Sequence, residues 1–282
     1  PDREDTGSGH SHEPLHEHTH EHGHGESAPF NADRHDEKNH GNDAILTVRA
    51  ASGLSGDIML GGLATLAGLT EKELHALLAE LNVPALNNCL TLEQRMVHHI
   101  AGVGCRITLP HEHAHRTLKD ILNIIENSAM PDDAKAYSRS AFTVLAEAEA
   151  AVHGKKSEEV TFHEVGALDS ILDICMVCRI FALLQPRCFV CSPLPMADGV
   201  IRCAHGDVPS PAPAVLRMLD NVPVRGFSGR GETVTPTAIA LLKALGASFG
   251  PWPAMTVQQS VISYGTKVFD ETMNGALWIL GR

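Results

Sequence analysis

Between Val160 and Asp173 the chain reads VTFHEVGALDSILD. His163, Glu164, Asp169 and Asp173 stand there among residues that favour burial. An isolated charge taken out of water is costly unless it is paired or holds a metal. VTF is extended by its pattern, and a helix is predicted to begin near Leu168. Asp169 and Asp173 are then one turn apart on one helix face, with His163 and Glu164 just ahead of them. A loop imidazole and two helix carboxylates suit a divalent metal or a metal–phosphate unit. Without a cation the two carboxylates repel each other. A structural reading competes, in which Asp169 complements the helix N-terminus and Asp173 pairs with an arginine.

The segment SGLSGD, Ser52 to Asp57, joins a predicted strand to a predicted helix. Amides at a helix start, with Ser52, Gly53, Ser55 and Gly56 around them and Asp57 closing the loop, form a cradle for an anion such as a phosphate. No Lys follows the second Gly, so this is not a Walker loop. A tight turn with Ser55 as N-cap is the competing reading. HEHAH sets His111, His113 and His115 at spacing two, on one side of an extended strand; it is either a local metal site or an exposed polar loop. His205 and Asp207 in CAHGD are second-line candidates, and His153 closes a helix whose C-terminus favours it. Cys175, Cys178, Cys188 and Cys191 form two C-x-x-C pairs, which on paper is a zinc-ribbon spacing. The first pair lies in the apolar run DICMVCRIFALL and the second in the strand-like CFVCS. Neither has the turn residues of a zinc knuckle, so both pairs are read as core.

Half of the eighteen His precede residue 41. In GHSHEPLHEHTHEHGHG, His10, His12, His16, His18, His20, His22 and His24 alternate with Glu, Gly, Ser and Thr. Residues 1–43 have too little apolar surface to offset their ordering entropy, so a disordered His-rich tail is expected. Its imidazoles suit nickel, copper or zinc, for capture or storage. The net charge of −12 argues against a nucleic-acid partner. No apolar run is long enough to cross a bilayer, and the polar start suggests no secretory leader. Seven Cys without a secreted-scaffold pattern fit reduced thiols in a cytoplasm.

These groups must be held by the remaining 44–282 segment. AILTVRA reads as a strand, and a helix begins near Ser55. A second helix spans Thr70 to Asn82, with Thr70 and Glu73 as a capping box. CLTLEQRMVHHIAGVGCRITLP reads as two strands joined around Ala101–Gly104. RTLKDILNIIENS is a helix, and a long one spans Pro131 to His153, with Pro131 at N1 and Gly154 as the stop. A helix to Leu184, a strand RCFVCS, a Pro-rich loop, and helices in APAVLRMLDN and TPTAIALLKALGA follow. Strands near Met255–Ser263 and Gly275–Leu280 close the chain. Helices alternating with short strands give an α/β or α+β class with a mixed sheet. A division into two subdomains near 185–235 is left open.

ASGLSGDIMLGGL, VTFHEVGALDSILDI, CSPLPMADG, HGDVPSPAPAVLRML, VPVRG and GETVTPTAIALLKAL follow one another in an order and near-spacing that resembles the LarC family of nickel-insertion proteins, over residues 45–282. The resemblance implies a lyase-type metal insertase that places Ni(II) in pyridinium-3,5-bisthiocarboxylic acid mononucleotide. That would be the last step in making the nickel-pincer cofactor of lactate racemase. It also implies Ni–S and Ni–C bond formation, consumption of CTP with Mg(II) or Mn(II), and a homo-oligomer. CTP binding belongs to a C-terminal domain of longer relatives; on the resemblance this chain is the N-terminal half of a split protein whose CTP-binding part is a separate polypeptide, a truncated chain, or a divergent paralogue. On this reading His163, Glu164, Asp169 and Asp173 hold the metal or metal–phosphate unit, and the SGLSGD loop holds the substrate phosphate. The family reads Asp-Cys where this chain has Arg49–Ala50, which would put a cation at the mouth of the loop. The alternative is a non-enzymatic nickel chaperone or storage scaffold.

Neutral imidazole is the ligand, so nickel binding by the tail is expected to weaken as pH falls through about 6.5. Calorimetry on a chain lacking residues 1–43 should show fewer weak nickel sites. An unchanged stoichiometry would rule out metal capture by the tail.

Overall fold

The computed structural model describes residues 43–109, 116–162, 165–203, 206–270 and 272–282. The His-rich tail, His111, His113, His115, His163, Glu164 and His205 lie outside the described residues. The apolar run Ile45–Ala50 forms strand β1, and the SGLSGD loop leads into helix α1 (Gly56–Leu66). Helix α2 (Glu71–Ala79) starts at the capping box of Thr70 and Glu73. Strands β2 (Leu90–Val97) and β3 (Ile100–Ile107) pair as a hairpin. Strand β4 (Arg116–Thr117) runs through a second capping box, Thr117 with Asp120, into α3 (Leu118–Glu126). The long α4 (Asp132–His153) ends at Gly154, whose φ of 63° favours glycine.

Strand β5 (Thr161–Phe162) pairs with β4 just ahead of α5 (Leu168–Leu184). Next come β6 (Cys188–Cys191), β7 (Leu194–Met196), β8 (Val200–Cys203), β9 (Gly206–Pro209), α6 (Pro213–Met218) and β10 (Val224–Gly226). Helix α7 (Pro236–Ala244) has Thr235 as N-cap and Pro236 at N1, as its sequence predicts. The chain closes with β11 (Ser248–Phe249), β12 (Val257–Ser263) and β13 (Ala276–Gly281).

Seven strands form one mixed sheet in the order β11-β6-β1-β13-β12-β3-β2. The pairs β11/β6, β6/β1 and β12/β3 are parallel, and the other three are antiparallel. With helices between the strands this is the α/β class with a mixed sheet that the sequence implies. Helix α1 packs on β3, β12 and β13, and α5 packs between α1, α4 and α7. That enclosure explains why α5 is apolar around nearly its whole circumference. Among the described residues no helix is long and apolar enough to cross a membrane.

Three local readings are corrected. The turn between the second and third strands lies at His98–His99, not at Ala101–Gly104. Both histidines take positive φ, 47° and 63°, as a tight two-residue hairpin turn requires. Gly102 and Gly104 lie inside β3, because a side chain at Gly102 would meet the Tyr264 ring and one at Gly104 the Arg95 guanidinium. Pro131 is the N-cap of α4, with Asp132 as first helical residue. The Pro-rich stretch after β6 contains β7, β8 and β9, strands too short to leave a period in the sequence.

All seven Cys are free thiols. Cys175 and Cys178 are fully buried in α5, and Cys191 is buried in β6. Burial pushes the Cys175 thiol up to about 12, and the Cys191 thiol likewise to about 12. Such thiols stay protonated and are poor metal ligands. Among the described residues no three His, Cys, Asp or Glu side chains converge as a metal set. The rejected ribbon is therefore absent from that part of the chain. Replacing Cys175 and Cys178 together by Ala should lower stability and leave bound metal unchanged. Loss of one zinc per chain on elemental analysis would reverse that assignment.

The sheet and helix layers meet most tightly at Gly62. The fully buried Trp278 donates from Nε1 to Ser263 Oγ at 2.8 Å, and a Cβ at Gly62 would stand 2.6 Å from its Cε2. Gly62→Ala is therefore expected to cost ~1–3 kcal/mol despite its better helix propensity. Gly226→Ala, where nothing stands within 4 Å, should be near neutral. Thermal melts of the two variants test the contrast.

Candidate functional site

The loop from β1 to α1 is fixed by its neighbours before any ligand is considered. Ala51 and Ser52 donate their amides to Gly275 O, at 3.1 and 3.4 Å. Leu54 donates to Thr233 O at 2.9 Å, and Thr235 donates back to Leu54 O at 3.1 Å. Gly53 lies so close to Thr233 that a Cβ would stand 2.8 Å from its carbonyl carbon. Part of the predicted cradle is thus already engaged by the protein itself. What stays open is the start of α1. Ser55 is its N-cap, yet its hydroxyl donates to Asp57 Oδ1 and caps no amide.

Asp173 reaches the same place from α5. Gly56 exists because of it, since a Cβ there would stand 2.8 Å from the Asp173 Cβ. Asp173 Oδ1 is buried and has no hydrogen-bond partner, while the residue as a whole keeps one edge toward the cleft. Burial pushes its carboxyl well above the usual aspartate range, and the charges of Asp57 and then Asp169 push the same way. Asp169, exposed in the first turn of α5, accepts from the Ser170 amide at 2.7 Å. The Ser170 contact agrees with the helix-terminus reading of Asp169, and among the described residues no arginine pairs with Asp173.

These walls enclose a cleft of about 750 Å³. Ser52, Gly53, Ser55, Gly56, Asp57, Asp169 and Asp173 all line it, so residues more than 110 positions apart share one space. His163 and Glu164, three or more positions ahead of α5, lie outside the described residues. Asp207, on β9, is not among the lining residues. His153 lies 3.5 Å from Glu149 at the end of α4, one turn away on the same helix.

The sequence reading missed the opposite wall, which includes Glu232, Thr233, Thr235, Lys267 and Phe269. Its signal was present in GETVTPT and SYGTK, but loops carry no period to mark them. Lys267 Nζ donates to Arg230 O at 3.0 Å and Glu232 O at 2.9 Å, and sits 4.5 Å from the centre of the Phe269 ring. Burial lowers the Lys267 ammonium below the usual lysine range, and the charge of Glu232 opposes this.

Three arginines brace these walls through backbone carbonyls. Arg225 donates to Ala50 O and Ala51 O, Arg95 to Tyr264 O and Gly265 O, and Arg116 to Gly166 O. Arg49, expected at the mouth of the loop, turns elsewhere. Its two terminal nitrogens donate to Gly250 O at 2.9 and 3.0 Å, and its guanidinium lies 5.7 Å from the centre of the Trp252 ring. The strand alternation of β1 aims it away from the α1 face, so the sequence-level cation at the cleft is corrected.

The arrangement is an acidic cleft beside an uncapped helix start. Its carboxylates attract cations and the α1 amides attract anions, though among the described residues no three ligand side chains converge on one point. The family model described as nickel insertion protein matches residues 46–280. A pyridinium-3,5-bisthiocarboxylic acid mononucleotide nickel insertion protein of Staphylococcus epidermidis is 36% identical over 219 residues, covering 78% of this chain and 55% of that protein. The Staphylococcus saprophyticus protein of the same name is 37% identical over 219 residues, again 78% of this chain and 55% of its own. A provisionally named nickel insertion protein of Myxococcus xanthus is 39% identical over 241 residues, 84% of this chain and 60% of its own. The chain thus spans a little over half the length of these relatives. No solved structure matches it. With the family model covering nearly all of the folded part, this chain belongs to the nickel insertion protein family.

Proposed function

We propose that this chain handles nickel for insertion into pyridinium-3,5-bisthiocarboxylic acid mononucleotide, acting as a lyase-type metal insertase in nickel-pincer cofactor synthesis. The observation that carries the reading is the buried Asp173 carboxylate, whose Oδ1 has no partner and which Asp57 and Asp169 surround with like charge. Such a group is costly in the empty protein and is relieved by a divalent cation. Asp169, Asp173 and His163 hold nickel in transit, with Glu164 beside them. Oxygen donors bind Ni(II) less strongly than the thiocarboxylate sulfurs of the substrate, so transfer runs toward sulfur. When the metal bonds to the ring carbon a proton leaves, and in this reading the Asp173 carboxylate takes it.

Ser52, Gly53, Ser55 and Gly56 face the substrate's phosphate, which the uncapped amides of α1 favour. CTP with Mg(II) or Mn(II) fits less well. The loop amides of Ala51, Ser52 and Leu54 are already taken, so only the amides at the start of α1 remain, which suit one phosphate better than a triphosphate. CTP is assigned to the C-terminal domain of longer relatives. Nickel storage without turnover is the second reading. One of the sequence features that favour it, Arg49, does not line the cleft.

Asp173→Asn tests the reading, because it removes charge with almost no change of shape. The carboxyl is raised in the folded state, so its protonated form stabilises the fold. That contribution is complete below the ordinary aspartate value of about 3.9 and is lost as pH rises through the folded value. The variant is therefore expected to melt at the same temperature as the parent at low pH, and at an equal or higher one at neutral pH. Nickel transfer, assayed with the C-terminal domain of a longer relative in trans, should fall about a hundredfold or more. A clear drop in apo stability, with transfer surviving in the folded fraction, would make Asp173 a scaffold residue.

A further inference from the structure

Among the described residues lining the cleft, Lys267 alone carries a permanent positive side chain, against Asp57, Asp169, Asp173 and Glu232. Its ammonium is fixed in space. Two of its three donors go to Arg230 O and Glu232 O, and the Phe269 ring lies beneath it. Phe269 is itself set edge-on against Phe227 at 5.2 Å, and its backbone amide and carbonyl are clamped by the Asn274 side chain. A cation held this way loses little freedom on meeting a ligand, and it keeps one donor for it.

The strap that carries Lys267 begins beside the helix start. Gly265, two residues earlier, lies against the first turn of α1, where a Cβ would stand 3.2 Å from Ile58 and 3.5 Å from Asp57 Oδ2. Arg95 pins that point by donating to Gly265 O at 2.8 Å. The ammonium and the uncapped amides of α1 thus line one cleft.

We propose that Lys267 binds the phosphate monoester of the nucleotide and so fixes which end of the substrate faces the carboxylates. This rests on the substrate reading above. A mononucleotide whose phosphate were free to wander would meet four carboxylates, and its sulfur-bearing ring would have no preferred direction. One ammonium on the strap, an element separate from α5, breaks that symmetry, leaving the metal-binding groups of the ring toward Asp169 and Asp173. Lys267 is a specificity-determining residue in this assignment, and it takes no part in bond making.

The test compares two stable probes on the intact protein by calorimetry. They are nicotinate mononucleotide, a pyridinium ring with a carboxylate and a phosphate monoester, and nicotinate riboside, the same molecule without the phosphate. The parent should bind the mononucleotide roughly ten- to a hundredfold tighter, as a hydrogen bond to a charged group predicts. In Lys267→Met that preference should vanish while riboside affinity is kept. Lys267→Gln, which retains donors for the two carbonyls, should lose the preference as well. If Lys267 only ties the strap, both probes weaken together and the preference survives, which overturns the assignment. A parent that binds both probes equally also overturns it, yet leaves the substrate reading standing. A parent that binds neither removes the substrate reading, and the role of Lys267 with it.

Discussion

The approach of α5 to the start of α1 is the constraint on which the site depends. The two helices meet where Gly56 faces Asp173, and the gap admits a carboxylate only because Gly56 has no side chain. Everything nearby keeps that carboxylate short of partners. The Ser55 hydroxyl turns to Asp57, and the Asp169 oxygen turns to its own helix. A buried acid without a partner is a local instability that a folded protein tolerates only where the rest is secure. The security here comes from a deep apolar core, with α5 enclosed by three helices and Trp278 locked between Gly62 and Ser263.

The arginines show how the cleft walls are braced. Arg225, Arg95 and Arg116 each donate to backbone carbonyls of those walls, and Arg95 also pairs with Glu93. Each guanidinium satisfies chain that a loop would otherwise leave without donors. The result is rigid walls around a cleft lined by Asp57, Asp169, Asp173 and Glu232. A metal-handling site gains from both features, since the cation then has a fixed place to bind and a reason to stay until a softer ligand arrives.

Lys267 adds polarity to that acidic space. Its two carbonyl bonds and its ring contact come from the loop before α7 and the strap between β12 and β13. The hairpin tip joins the same strap, where His98 lies 3.2 Å from Phe269 O. Segments with no regular structure are thus held from several sides, which is how loops carry precise chemistry on a rigid sheet.

Much was legible in the sequence itself. The capping box at Thr70, the Pro236 start and the Gly154 stop are set by local hydrogen bonds and by φ, so a few neighbouring residues define them. Asp169 and Asp173 share a helix face by the same local rule, and the burial of Cys175 and Cys178 follows from the apolar run around them. Only the tertiary structure decided the rest. Glycine in a sequence says that a side chain is unwelcome without saying why. At Gly102 and Gly104 the reason is a distant ring and a guanidinium, and the turn went to two histidines instead. The direction of Arg49, the orphaned oxygen of Asp173, and the arrival of Lys267 across the cleft depend on segments far apart in the chain. Periodicity is a property of neighbours, whereas a cleft is made by residues that meet only when the sheet closes.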